Sequence, residues 1–221
     1  MAKSDAIAAL MDSATTVFAR SGYEGASLRD IAADANLPLS TINAYFGGKA
    51  DLFVAVMQSI WREIEAERRA LLAERQAARG GAAADLRDIV TALTKPLVNR
   101  ARSADPLMRR APRLLRQWVN APAEVREAMR RQSFSNPSLR IWIDSVRAAS
   151  PGLTPAQAVW GFSFIVGALY SYELMDSRYD DIVDLGHDDP ETIAQYLVNF
   201  AVAGMRGIGG GVPEASLDNR P

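Results

Sequence analysis

Residues 27–49, SLRDIAADANLPLSTINAYFGGK, constrain this chain more than any other stretch, because they read as two short helices over a sharp turn. Ser27 stands where an N-cap belongs, and Asp30 three residues later makes a variant of the capping box. Leu28, Ile31, Ala32 and Ala35 then recur at helical spacing and give one apolar side. Asn36 tolerates the left-handed backbone that ends a helix in a tight turn, and Leu37 is an apolar plug after it. Leu39 to Phe46 forms the second helix, with Ile42 and Phe46 four apart on its inner side. Ser40, Thr41, Asn43, Ala44 and Tyr45 are left for an outside surface. Two helices crossing steeply over such a turn make a helix-turn-helix, whose second helix fits a DNA major groove.

The larger block from Ile7 to Phe53 resembles the N-terminal domain of the tetracycline-repressor-like (TetR) family. The apolar first helix, Gly22-Tyr23 after it, the Ser27 start, Ile42, Tyr45-Phe46 and the following Gly-Gly-Lys and acidic-Leu-Phe steps carry the resemblance. It implies that Ser27, Thr41, Tyr45 and Lys49 touch phosphates. Leu39, Ser40, Asn43 and Ala44 would then face the groove, where Asn43 can pair bidentately with adenine and Ala44 or Leu39 can meet a thymine methyl. Lys3 and Arg29, with Lys49, are the basic residues placed for backbone contacts. The chain departs from the pattern at Pro38, where a Ser or Thr cap is usual, and at Asn43 and Ala44, where aromatic side chains are common.

Charge is segregated along the chain rather than concentrated on this module. Residues 1–65 hold 5 basic and 8 acidic side chains, residues 66–150 hold 17 and 8, and residues 151–221 hold 3 and 10. The expected reader is therefore acidic overall, so the DNA reading rests on the motif and not on a basic field.

Composition removes most enzyme classes. The chain has no cysteine and one histidine, His187, so neither a thiol nucleophile nor a multi-His metal site is available. Gly209-Gly210-Gly211 follows no strand and cannot cradle a phosphate in the usual way. Asp180, Asp181, Asp184, Asp188 and Asp189 cluster, but lack the glycine and closing Glu of an EF-hand. No enzyme activity, cofactor or metal is expected. The N-terminus runs straight into an amphipathic pattern with no signal-peptide core, which points to a cytoplasmic protein.

Helical spacing continues throughout. A first helix is expected from Ser4 to Arg20, ended by Gly22, and a long one from Ala50 to Arg79, broken by Gly80-Gly81. Further helices are expected over 85–102 with a kink or break at Pro96, over 106–120, over 122–134 and over 137–149. In the 106–120 helix, Leu107, Ala111, Leu114, Leu115 and Trp118 form one face; Arg109, Arg110, Arg113 and Arg116 form the other. Leu139, Trp142, Ile143 and Val146 point inward from the next but one. Thr154-Pro155 opens a nearly all-apolar helix to about Arg178, and Pro190 opens the last, to about Ile208. The last helix has Ile193, Tyr196, Leu197, Phe200, Ala201 and Gly204 as its stripe.

The expectation is an all-α protein: a helix-turn-helix domain over 1–50, with the start of the fourth helix to about 64, and a helical effector and dimerisation domain over 51–208. Residues 209–221 are expected to be a disordered tail. Two terminal helices with more apolar surface than one chain can cover suggest a homodimer through a four-helix interface, not a membrane anchor. Partners are then a palindromic double-stranded operator and a small apolar or amphipathic effector. Candidate effector residues are Arg113, Arg116, Trp118, Trp142, Phe162 and Tyr170, since guanidinium pairs with carboxylate or phosphate and aromatics can border an apolar cavity. The competing reading is a helical adaptor that keeps the fold and has lost DNA.

Overall fold

A computed structural model describes residues 3–119, 121–132, 137–172, 182 and 189–209. Among them the secondary structure is helical: α1 (Lys3–Gly25), α2 (Leu28–Asp34), α3 (Leu39–Phe46), α4 (Lys49–Ala78), α5 (Leu86–Ala101), α6 (Arg110–Val119), α7 (Ala123–Arg131), α8 (Pro137–Ala149), α9 (Pro155–Tyr172) and α10 (Pro190–Gly209). Asp180, Asp181, Asp184, Asp188, His187 and the tail from residue 210 lie outside the described residues.

The chain forms two compact units that do not follow chain order. The first comprises Met1–Ala66 with Arg100–Ser135, the second Glu67–Asn99 with Asn136–Pro221. A contiguous division near residues 50–64 was expected from the pattern. The discontinuity arises because α6 and α7 lay their apolar sides on the N-terminal helices, which are too short to enclose a core alone.

In the first unit, Leu10, Ala14, Val17 and Phe18 of α1 are buried with Ile31, Ile42, Leu52, Phe53, Leu114, Leu115 and Val125. Leu28, Leu37 and Phe46 are only half-buried, so the inner core of the helix-turn-helix is smaller than the pattern indicated. An aromatic knot joins three helices: the Phe53 ring lies 5.0 Å from Phe18, 5.1 Å from Tyr23 and 6.3 Å from Trp118. Gly22 accommodates a non-helical step in α1 at φ 74°, and α1 resumes to Gly25, five residues beyond the expected end.

The second unit buries one cluster that includes Ile89, Val90, Leu93, Trp142, Val146, Phe162, Ile165, Val198, Val202 and Met205. Asp85 and Asp88 cap the start of α5 reciprocally, Asp88 N–H donating to Asp85 Oδ1 at 2.9 Å and Asp85 N–H to Asp88 Oδ2 at 3.3 Å. Arg75 (3.1 Å) and Arg79 (3.0 Å) bind Asp88 from the end of α4, and Arg79 also binds Asp85. The Asp88 N–H, supported by Arg79, holds the Asp85 carboxyl below its ordinary pKa. α5 passes through Pro96 without ending. Gly161 lets α10 come close, since a Cβ there would fall 2.2 Å from the Met205 sulfur.

Thr154 and Gln157 form the reciprocal cap of α9: Gln157 N–H donates to Thr154 Oγ1 at 3.2 Å, and Thr154 N–H to Gln157 Oε1 at 2.8 Å. Thr154→Ala is expected to lower the unfolding free energy by about 1 kcal/mol, read from urea denaturation; no loss would mean that packing alone sets the helix start.

Three expectations are corrected. α6 begins at Arg110 and not at Pro106, because Ser103 Oγ accepts the Asp105 N–H at 3.1 Å and Asp105 Oδ1 accepts the Leu107 N–H at 2.9 Å, fixing a turn instead. Leu107 is consequently 57% exposed and not part of the inner face. In α8, Trp142 and Val146 are buried but Leu139 is exposed. In α10 the buried side is Ala194, Val198, Ala201, Val202 and Met205, and the expected stripe residues Tyr196 and Phe200 face outward.

Candidate nucleic-acid interface

The helix-turn-helix is assembled by local chemistry. Ser27 Oγ accepts the Asp30 N–H at 3.1 Å, which starts α2. Asn36 takes φ 53°, and Leu37 N–H reaches back to the Ala32 carbonyl at 2.9 Å, which closes the helix and turns the chain. α3 starts at Pro38 with no side-chain cap, so its first turn is held by backbone alone, Thr41 N–H donating to the Pro38 carbonyl at 3.0 Å. Gly47 ends it in the left-handed region at φ 85°, with its N–H on the Asn43 carbonyl at 3.1 Å.

Ile42, fully buried, pins α3 to the unit and fixes which side faces out. Ser40, Asn43, Ala44 and Tyr45 are exposed, and Leu39 and Thr41 are half-buried at the edges of that face. The six residues named from sequence therefore share one short helix with a continuous outer side. Arg29 is exposed on α2, and Ser27 is half-buried because its hydroxyl is used as a cap. Lys3 Nζ lies 5.7 Å over the Tyr45 ring, which adds a cation beside the outer end of α3.

Lys49 is held more firmly than a free phosphate contact. Its ammonium donates to the Glu24 carbonyl at 3.2 Å and sits 4.6 Å over the Tyr23 ring, tying the start of α4 to the end of α1. Tyr23 in turn donates its hydroxyl to Glu124 at 2.5 Å. Burial first, then that hydrogen bond and the carboxylates of Glu124, Glu24 and Asp51, push the Tyr23 phenol well above its ordinary pKa, so it stays a donor.

The supports behind the face were not visible in the sequence. Arg131 binds both carboxylate oxygens of Asp51, at 3.0 and 3.1 Å, and Gln132 donates to the Asp51 carbonyl and carboxylate. Gln117 Nε2 donates to the Phe18 carbonyl at 3.1 Å. Separations of 80 to 101 residues left no local signal for these pairs. An acidic residue in the first turn of α4 facing a basic end of α7 was the only trace.

The candidate effector residues do not form one group. Trp118 belongs to the aromatic knot of the first unit, while Trp142 and Phe162 are buried in the core of the second. Arg113 is exposed, and the side chains of Arg116 and Tyr170 lie outside the described set. A cleft of about 450 Å³ in the second unit, bounded by residues such as Leu86, Leu153 and Arg206, includes none of Arg113, Trp118, Trp142 and Phe162. Among the described residues no helix is long and apolar enough to cross a membrane.

Comparison with known proteins agrees with this geometry. Residues 10–56 match the family model described as bacterial regulatory proteins, tetR family, and residues 91–204 match that of the tetracyclin repressor-like C-terminal domain. No curated protein sequence matches the chain significantly. Similar solved structures include the fatty acid degradation regulator FadR from Bacillus halodurans, at 15% identity and TM-score 0.59, covering 93% of this chain and 98% of that one. NalD, the secondary repressor of the MexAB-OprM multidrug efflux pump in Pseudomonas aeruginosa, matches at 21% identity and TM-score 0.58, over 92% of this chain and 97% of its own. A TetR-like transcriptional regulator from Rhodococcus sp. RHA1 matches at 20% identity and TM-score 0.55, covering 90% and 95%. With both parts of the chain matched and the reading helix presented on a buried anchor, the protein belongs to the tetR family of bacterial regulatory proteins and is a DNA-binding transcriptional regulator.

Proposed function

We propose that the protein is a cytoplasmic homodimeric repressor that binds a palindromic operator and leaves it when a small apolar or amphipathic effector binds. The observation that carries the DNA side is the outer face of α3, with Asn43 and Tyr45 exposed above the buried Ile42. Asn43 reads a base edge, Ala44 and Leu39 offer methyl contacts, and Thr41, Tyr45, Ser27, Arg29 and Lys49 lie along the phosphates. The likeness to NalD, a repressor, favours repression over activation.

Dimerisation follows from what α9 and α10 leave uncovered. Trp160, Phe164, Tyr196 and Phe200 are each about 60% exposed or more, an apolar load rarely left to water. Pairing these helices about a two-fold axis buries them, and a two-fold dimer brings two copies of α3 to the two half-sites of a palindrome. An effector then acts only through its difference in affinity for the operator-bound and free conformers.

The test is selection from a randomised duplex pool, followed by fluorescence anisotropy on the enriched site at several salt concentrations. A palindrome should emerge, with affinity falling as salt rises. Asn43→Ala with Tyr45→Ala should weaken it about tenfold or more while leaving the circular dichroism unchanged. Failure to enrich any sequence would overturn the reading and leave the adaptor in its place.

A further inference from the structure

We propose that a cleft inside the first unit, between α1, α4 and the start of α6, is a binding site for a small apolar carboxylate. The cleft measures about 290 Å³ and takes Met11, Ile60, Leu107 and Ala111 as apolar wall with Arg100 and Arg110 as cations. That volume falls just below the range of drug-sized ligand pockets, about 300–1,000 Å³, and suits a small molecule. None of these residues belongs to the α3 face, and of them only Arg110 lies on the arginine face read from sequence.

The charges in the cleft are unevenly placed. Arg110 is 23% exposed in its side chain, and its partner Asp12 is 82% exposed, with the nearest nitrogen and oxygen 3.6 Å apart. Arg100 is 10% exposed and Glu63 59% exposed, again at 3.6 Å. The Arg110–Asp12 separation exceeds the reach of a good N–H···O hydrogen bond, about 3.2 Å. The cations are thus drawn into the protein, while the carboxylates facing them remain in water, where such pairs contribute little. An incoming carboxylate can take the shorter, charge-assisted position on Arg110 that Asp12 does not occupy. Its apolar body then covers Ile60 and the outward Leu107, which the turn before α6 holds at the rim.

A cation would meet the same two carboxylates only in their hydrated positions and would stand against two half-buried guanidiniums. A neutral apolar molecule would gain the wall but leave Arg110 as it is. The geometry therefore selects an anion with an apolar tail. Because Met11 and Asp12 lie on α1, the ligand would touch the helix on which the reader is built. The proposal rests on the reading of the chain as ligand-responsive, and its test contains no DNA, so the two fail separately.

The probe is octanoate, added to the full chain labelled with 13C at the methionine methyls, with the Met11 signal assigned by its loss in Met11→Leu. Octanoate should shift the Met11 signal saturably, and equal concentrations of octanol or octylamine should not. Arg110→Gln should weaken binding about tenfold, Arg110→Lys should recover part of it, and Arg140→Gln, exposed on α8, should leave it unchanged. An unmoved Met11 signal, an equal response to octanol, or unaltered binding by Arg110→Gln would each overturn the assignment.

Discussion

Phe53→Ala is expected to remove about 3–5 kcal/mol of stability. Phe53 is fully buried, and its ring meets Phe18 and Tyr23 edge-on at 5.0 and 5.1 Å, with Trp118 at 6.3 Å. The cavity left behind would lie between α1, α4 and α6, which the Phe53 ring joins. Since domains of this kind hold only about 5–15 kcal/mol in total, the variant should unfold at much lower urea and lose operator binding with it. Phe53→Leu, which keeps most of the volume, should cost about half as much or less. A Phe53→Ala protein as stable as the wild type would show that α6 is not held to α1 and α4 through this knot.

The second large effect concerns association. Phe164→Glu combined with Phe200→Glu should convert a dimer into a folded monomer, measured by light scattering on an eluting column. The two rings are 59% and 66% exposed, so the single chain loses little by the change, whereas a dimer would have to bury two carboxylates per copy. The operator affinity of the monomer should fall by about a hundredfold or more, since central interface anchors are each worth about 2 kcal/mol or more and a single reading helix holds only half a site. If the double variant stays dimeric, the interface lies on other helices and the two-fold arrangement argued for α9 and α10 is wrong.

How much of this was legible in the sequence depends on the range of the interaction. Ser27, Asn36 and Gly47 act within a few residues of themselves, so the start of α2, the turn and the end of α3 were readable from residue type and spacing. The helix starting at Pro106 was misread because Ser103 and Asp105 compete for the backbone with their side chains, which an apolar periodicity does not register. α10 carries apolar residues on two sides, and spacing alone cannot say which side meets its own chain. The structure gives Val198 and Val202 to the core and leaves Tyr196 and Phe200 outside. The pairs Tyr23–Glu124 and Asp51–Arg131 left almost no signature because their halves lie 101 and 80 residues apart, beyond the reach of any local spacing rule.

The Met1–Ala66 and Arg100–Ser135 composition of the first unit also sets a timetable for the protein's birth. A chain emerging from the ribosome presents α1 to α3 early, yet Phe53, Tyr23 and Asp51 find Trp118, Glu124 and Arg131 only after well over half of the polypeptide has been made. The DNA-reading end is thus the first to be synthesised, yet it waits for residues up to about Arg131 before its own unit can close. A nascent or prematurely terminated chain carries the recognition sequence without the scaffold that makes it a competitor for the operator.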